Sequence, residues 1–138
     1  MPSHLEEKQE KLEQIIQKLL DESAKGIPII VEGQKDAETL RALGLTGKII
    51  NAKTGRKTFI DLVTEITEEK PRRIILMLDH DRTGRIWMAK LKQHLERGRI
   101  IADSTLWAEL FGLAGRDIKD VESLTAYMET LKSKIHNS

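Results

Sequence analysis

Short apolar runs alternate with amphipathic helical patterns along most of the chain, and this alternation limits the fold more than any other feature. Four apolar runs have the length and composition of buried strands, at residues 27–32, 48–51, 73–79 and 99–102. Helical patterns lie between them at residues 36–43, 58–70 and 85–97. This order is typical of βαβ units with right-handed crossovers. We therefore predict an α/β, Rossmann-like three-layer sandwich around a four-stranded parallel sheet.

A further amphipathic helix is predicted before the first strand, over residues 4–24, because apolar residues recur there at helical spacing. A chain of 138 residues has the usual size of one domain. We expect residues 1–26 to pack on a domain formed by residues 27–138, which ends in two helices near residues 106–113 and 121–135. The apolar face of the first helix is alternatively the seam of a homodimer or the docking face of a protein partner; it comprises Leu5, Leu12, Ile15, Ile16, Leu19 and Leu20.

The composition excludes several classes of protein. No cysteine is present, so disulfide scaffolds, thiolate zinc sites and cysteine nucleophiles are excluded, and a metal must be bound by oxygen or imidazole. No apolar stretch approaches the roughly 18 residues of a membrane-spanning helix, and the acidic N-terminus differs from a secretion signal. We therefore expect a cytoplasmic protein that does not enter a membrane.

Three acidic residues lie where two predicted strands end. Glu32 closes the first strand, and Asp79 and Asp81 close the third. Ligands of open parallel sheets bind at this edge, and alternation along the strand would point Asp79 and Asp81 to the same side. We predict that the two strands are neighbours, so that the three carboxylates converge and hold Mg²⁺, or Mn²⁺ in its place. The alternative is that each acid caps the helix that follows it.

Residues beside these acids have structural as well as functional interpretations. Gly33 and Gly84 are predicted to allow tight turns and the close approach of a phosphate. Asp36 is assigned as a helix N-cap rather than a metal ligand. Strand alternation aims His80 away from the acids. The two tryptophans, Trp87 and Trp107, are assigned to the core or an interface, although either could stack on an unpaired base.

Basic residues gather at the same edge of the predicted sheet. The segment 53–57, Lys-Thr-Gly-Arg-Lys, has the small residues and cations of a phosphate cradle. Any one of these side chains could equally belong to a solvated surface loop. As a group around an acidic cluster, these cations favour the binding of a polyanion on top of a bound metal ion. The predicted phosphate-binding set is Lys35, Lys53, Arg56, Lys57, Arg82 and Arg85.

Two segments resemble the signature motifs of the Toprim domain. They are Val-Glu-Gly-x-x-Asp at residues 31–36, followed by Leu40, and Leu-Asp-x-Asp-x-x-Gly at residues 78–84. The domain occurs in bacterial-type primases, type IA and type II topoisomerases, nucleases of the overcoming-lysogenisation-defect family and ribosomal-RNA maturases. The segment 117–124, Asp-Ile-Lys-Asp-Val-Glu-Ser-Leu, further resembles small stand-alone archaeal Toprim proteins. The resemblance implies that Glu32 is a general acid or base and that Asp79 and Asp81 bind Mg²⁺.

The resemblance leaves several functions open. A topoisomerase is disfavoured because Tyr127, the only tyrosine, lies on a predicted C-terminal helix and no separate nucleophile domain is present. A complete primase is excluded because its zinc-binding and helicase-binding parts are absent. We expect Mg²⁺-dependent phosphodiester chemistry, most simply that of a nuclease. The alternatives are a non-catalytic metal- and nucleic-acid-binding adaptor and a phosphate-recognising regulator. Whether the substrate is RNA or DNA stays open.

Overall fold

A computed structural model describes residues 3–137 as alternating helices and strands. The chain runs through α1 (His4–Ala24), β1 (Ile29–Val31), α2 (Gln34–Ala42), β2 (Ile49–Asn51), α3 (Phe59–Glu68), β3 (Arg73–Met77), α4 (Arg82–Arg97), β4 (Ile101–Asp103), α5 (Thr105–Ala114) and α6 (Leu124–His136). All strands are parallel in the order β2-β1-β3-β4. The predicted four-stranded parallel sheet is therefore confirmed.

Alternating side chains of the central strands fill two cores on opposite faces of the sheet. Ile29 and Val31 of β1 join a cluster with residues of α1, α2, α5 and α6. Ile30, between them, joins a second cluster with residues of α3 and α4. All three residues of β1 are buried, which explains why its sequence is a continuous apolar run. The result is the predicted α/β/α sandwich.

The predicted element boundaries needed several corrections. Strand β1 is shorter than residues 27–32, and β3 stops at Met77 rather than at residue 79. Helices α2 and α4 begin at Gln34 and Arg82, earlier than predicted, because the backbone turns directly after each acidic strand end. Helix α6 begins at Leu124 rather than near residue 121. The apolar pattern that predicts α4 includes Ile86, but 44% of this residue's surface is exposed.

Helix α1 spans the predicted residues and packs on α5 and α6. Leu12, Ile15, Ile16 and Leu19 are buried in the core of the same chain. This burial uses the apolar face that was the predicted seam of a homodimer, so the fold gives that prediction no support. Among residues 3–137, no helix is both long and apolar enough to cross a membrane.

Candidate metal and nucleic-acid site

The two acidic strand ends meet at the carboxyl edge of the sheet. Strands β1 and β3 are neighbours, with Val31 paired to Met77, so the residues after them leave the sheet side by side. A direct contact follows, in which the backbone N–H of Asp79 donates to Oε2 of Glu32 across 3.0 Å. The predicted adjacency of the two strands is therefore confirmed, and it joins two residues that lie 47 positions apart in the chain.

Asp79 lies in an environment that disfavours its negative charge. Burial, followed by the negative charges of nearby carboxylates, raises the pKa of this carboxyl from 3.8 to about 7; the carboxylates are those of Glu32, Asp36, Asp120 and Asp81. A cation at this position would relieve both the repulsion and part of the desolvation. The electrostatics therefore favour a bound cation at the carboxyl edge of the sheet.

Asp81 caps α4 instead of continuing the strand. Its Oδ1 accepts a hydrogen bond from the backbone N–H of Gly84 across 2.7 Å. Because β3 has already ended at Met77, strand alternation does not govern the direction of Asp79 and Asp81. The capping interpretation thus describes one oxygen of Asp81, and a metal-binding role for this residue stays a prediction.

Gly84 holds the turn between these two acids close to α4. A Cβ atom at this position would lie 2.0 Å from the carbonyl oxygen of Asp79 and 3.2 Å from Oδ1 of Asp81. No side chain can occupy that space without moving the backbone. The predicted need for glycine at residue 84 therefore has a physical basis in the close approach of α4 to the loop of residues 79–81.

Gly33 has a different role from the one predicted. Its φ of −152° is ordinary extended backbone, and a Cβ atom there would meet no atom within 4 Å. The turn itself therefore does not require glycine at this position. The space above Gly33 is open, which is compatible with the predicted approach of a ligand.

Glu32 is already engaged by a lysine. Nζ of Lys53 lies 2.6 Å from Oε1 of Glu32, while Oε2 accepts the hydrogen bond from Asp79. Both oxygens of the carboxylate thus have a partner. Among the side chains of residues 3–137, no group of three histidines, aspartates or glutamates is arranged to hold a metal ion. The structure therefore does not form the expected convergence of three carboxylate ligands.

The donor chemistry of the edge nevertheless fits Mg²⁺. Glu32, Asp79 and Asp81 offer only carboxylate oxygens, which hard divalent cations prefer, and Mg²⁺ commonly keeps several waters beside one or two carboxylates. The raised pKa of Asp79 reflects burial first and the negative charges of nearby carboxylates second. A cation that binds Oε1 of Glu32 would have to displace Lys53 from that oxygen.

Asp36 connects the first motif to the C-terminal segment. The prediction that Asp36 is the N-cap of α2 was wrong. Gly33 takes the N-cap position, and Asp36 is the third helical residue. Its Oδ2 accepts from the N–H of Gly33 and its Oδ1 from the N–H of Glu122, at 3.1 and 2.8 Å. Burial raises the pKa of the Asp36 carboxyl. The side chain therefore acts as a buried cross-link beside the acidic strand ends.

Asp120 is an acidic neighbour that the sequence did not assign to the site. Its negative charge contributes to the raised pKa of Asp79, and its Oδ1 accepts from the N–H of Ser123 across 2.8 Å. The backbone N–H of His80 also donates to the carbonyl of Lys119, which connects the loop after β3 to the segment that contains Asp120. The only sequence signal was the resemblance of segment 117–124 to archaeal Toprim proteins, which carried no role for Asp120.

Some of the predicted phosphate-binding side chains have partners within the protein, and others are exposed to solvent. Lys57 donates to the carbonyl of Asn51 and to Oε1 of Glu65, both at 2.5 Å, so its ammonium group is engaged within the fold. Nη2 of Arg85 lies 3.0 Å from Nε2 of His80. Lys53 is paired with Glu32, as described above. The remaining three side chains are exposed to solvent: Lys35, Arg56 and Arg82.

His80 and Trp107 are used by the fold on the side of α5. The His80 ring stacks on Phe111 with centroids 4.9 Å apart and planes 4° from parallel. The indole N–H of Trp107 donates to the carbonyl of Leu78 across 2.7 Å. Trp107 therefore supports the strand end that leads to Asp79, as expected of a core tryptophan.

Comparison with known proteins identifies the family. The Toprim domain matches residues 27–106, which include both acidic strand ends and all four strands. The chain belongs to the Toprim domain family. The Toprim domain is associated with metal ions, generally Mg²⁺, and with the processing of nucleic acids.

Archaeal relatives match the Toprim region together with much of the rest of the chain. A UPF0292 protein of Methanocaldococcus jannaschii is 35% identical over 120 residues, which are 86% of this chain and 91% of the relative. A UPF0292 protein of Thermococcus sibiricus is 34% identical over 127 residues, or 92% of this chain and 95% of the relative. The predicted similarity to small archaeal Toprim proteins is confirmed, and these names specify no activity.

One solved structure has a similar fold. A protein from Aquifex aeolicus superimposes with a TM-score of 0.66 and 25% sequence identity. The match covers 81% of this chain and 96% of that protein. The similarity therefore extends beyond the region that carries the two motifs.

Proposed function

We propose that the chain catalyses Mg²⁺-dependent cleavage of a nucleic-acid phosphodiester, with a nuclease as the simplest form of the activity. The observation that carries the proposal is the contact between Glu32 and the backbone of Asp79, which joins both Toprim motifs at one point. The raised pKa of Asp79 supports it, since that pKa indicates an edge that a divalent cation would stabilise. Membership in a family associated with nucleic-acid processing supports the choice of substrate.

In this proposal Asp79 and Asp81 hold the metal and Glu32 completes the site. A bound Mg²⁺ would neutralise negative charge that develops on the phosphate during an in-line displacement. Asp81 has a second oxygen besides the one that caps α4, so capping and metal binding are compatible. Glu32 is the residue assigned to proton transfer, because its carboxylate stands beside Asp79 and is half-buried.

Lys53 has a dual role in the proposed reaction. It neutralises Glu32 in the structure and must release that carboxylate when a cation binds. The released ammonium group is then available to the phosphate, which carries the opposite charge. Arg56, exposed in the same loop, extends the positive surface along the nucleic-acid backbone. The substrates implied are cytoplasmic nucleic acids, RNA or DNA.

The Lys53 contact also favours one alternative, a non-catalytic adaptor that binds metal and nucleic acid. A carboxylate that stays paired with a lysine cannot transfer a proton to or from a substrate. The two functions differ in whether Glu32 is needed for turnover or only for binding.

Cleavage assays separate these functions. Single- and double-stranded RNA and DNA are incubated with Mg²⁺ or with EDTA, beside binding measurements on the same strands. For the enzyme, Glu32→Gln should lower turnover by about 10²- to 10⁴-fold while affinity for the strand is retained. The matched control is Glu38→Gln, an exposed glutamate of α2 that should behave as the parent. Absence of Mg²⁺-dependent cleavage on all four strand types, with Glu32→Gln altering only affinity, would favour the adaptor.

A further inference from the structure

Trp87 presents an aromatic surface beside Glu32. The side chain is half-buried on α4, and the ammonium group of Lys53 lies 4.9 Å from its ring centroid. The same ammonium group is 2.6 Å from Oε1 of Glu32. One side-chain cation therefore touches both the carboxylate assigned to chemistry and the aromatic ring. The ring centroid and Oε1 of Glu32 are therefore no farther apart than these two distances combined.

A second ring and exposed apolar residues flank Trp87. Phe59 of α3 meets it edge to face, with centroids 5.6 Å apart and planes at 82°. Ile86, next to Trp87 in the chain, is 44% exposed, and Ile60, next to Phe59, is 73% exposed. Both rings pack against the second core cluster, and their exposed apolar neighbours in the chain, together with lysines near each ring, are typical of an interaction surface at the border of the core.

The two tryptophans of the chain are used differently. Trp107 donates its indole N–H to the carbonyl of Leu78. Within residues 3–137, the indole N–H of Trp87 has no hydrogen-bond partner. The buried face of α4 is already supplied by Gly84, Met88, Leu91 and Leu95. Trp87 thus lies at the border of the core. Its indole N–H is unpaired within the described part of the chain, and the long, flexible side chain of Lys53 lies over its ring.

We propose that the Trp87 ring, with Phe59 at its edge, is the stacking site for one unpaired nucleobase next to the phosphate that binds at Glu32 and Asp79. This assignment rests on the proposed function and adds a preference for single strands, since a paired base cannot leave its stack without cost. Lys53 occupies the position of the ligand. A metal replaces it at Glu32, the base replaces it on the ring, and its ammonium group moves to the phosphate.

The chemistry of the surface selects a base over other occupants. An aromatic face binds any nucleobase by stacking, and neighbouring cations bind the attached phosphates. Lys53 and Lys90 supply such cations, with Nζ of Lys90 lying 6.0 Å from the Phe59 centroid. Lys53 already shows that the Trp87 face accepts a cationic partner through its π-electrons, and a base of similar area would cover the ring more completely.

The test uses the full chain and two strands that differ only in their bases. One is a short single-stranded oligonucleotide of mixed sequence, and the other has the same backbone with abasic sites in place of nucleotides. Binding is measured with Mg²⁺ and with EDTA for the parent, Trp87→Leu, Trp87→Phe and Trp107→Phe. Tryptophan fluorescence is recorded in the same titrations, because only two tryptophans contribute to it.

The proposal predicts a loss that depends on the bases. Trp87→Leu should weaken binding of the base-bearing strand by about 5- to 150-fold, the range for one lost stacking contact. Trp87→Phe should lose less, and both variants should bind the abasic strand as the parent does. The base-bearing strand should quench fluorescence in the parent and in Trp107→Phe but not in the Trp87 variants.

Three outcomes overturn the stacking site. They are equal affinity of parent and Trp87→Leu for the base-bearing strand, an equal loss on both strands, and no quenching in Trp107→Phe. The last measurement leaves Trp87 intact, so it decides the question even if the Trp87 variants fold poorly. Base-dependent binding without Mg²⁺-dependent cleavage would overturn the proposed nuclease alone. Cleavage with binding indifferent to Trp87 would overturn the stacking site alone.

Discussion

Substitution of Gly84 by alanine tests how the acidic loop is held. The new Cβ atom would lie 2.0 Å from the carbonyl oxygen and 2.9 Å from the carbonyl carbon of Asp79. Because the obstacle is backbone, no rotamer change relieves the contact, and the loop of residues 79–81 must move away from α4. That movement also breaks the hydrogen bond from the Gly84 N–H to Asp81.

The expected loss of stability combines three effects. Overpacking costs about 1 to 3 kcal/mol, and loss of the cap costs about 0.5 to 2 kcal/mol. The higher helix propensity of alanine returns about 1 kcal/mol. We expect Gly84→Ala to lower the free energy of unfolding by about 0.5 to 4 kcal/mol and to weaken Mn²⁺ binding, because Asp79 and Asp81 are displaced together.

Gly112→Ala is the matched control for this prediction. Gly112 also lies within a helix, but a Cβ atom there would meet nothing within 4 Å. This change should stabilise the protein by up to about 1 kcal/mol and leave Mn²⁺ binding unchanged. Urea denaturation and calorimetric titration with Mn²⁺ measure both effects. A Gly84→Ala protein with the stability and Mn²⁺ affinity of the parent would refute the close packing of the loop on α4.

Three further predictions concern charges at the site. Asp79→Asn should stabilise the protein in EDTA by about 1 to 2 kcal/mol at pH 8, allowing for solvent screening. Since the folded-state pKa is raised from 3.8 to about 7, the parent should lose stability relative to this variant as pH rises between those values, which urea denaturation across that range would detect. Lys53→Met should raise Mn²⁺ affinity by about threefold to tenfold in calorimetry by freeing Glu32, whereas Lys35→Met should have a smaller effect. Arg56→Ala should reduce the salt dependence of single-strand binding by a slope of up to about 0.7, and an unchanged slope would remove it from the phosphate contacts.

The sheet and its acidic edge could be predicted because both depend on local patterns. Apolar runs of strand length, each followed by a helical pattern, specify parallel βαβ units. An acid directly after such a run must lie at the carboxyl edge. The meeting of Glu32 and Asp79 then depended on one further fact, the adjacency of β1 and β3, which a shared metal site required and the sheet order confirmed.

Other parts of the site could not be predicted because they join distant segments. The pairing of Lys53 with Glu32 depends on how the loop after β2 folds over the edge. Asp120 approaches Asp79 only because the segment after α5 returns to the strand ends, and no local spacing encodes that return. The alternation argument does not apply to Asp81 for a related reason, since β3 ends two residues before Asp79 and Asp81 caps α4.

Calorimetric titration with Mn²⁺ tests the proposed metal site most directly. The parent should bind the ion weakly, and a variant with both Asp79→Asn and Asp81→Asn should lose binding while remaining folded by circular dichroism. A variant with Asp61→Asn and Glu65→Gln, two acids of α3, is the control for loss of negative charge and should bind as the parent does. Unchanged Mn²⁺ affinity in the Asp79 and Asp81 double variant would contradict the assignment of the metal to the ends of β1 and β3.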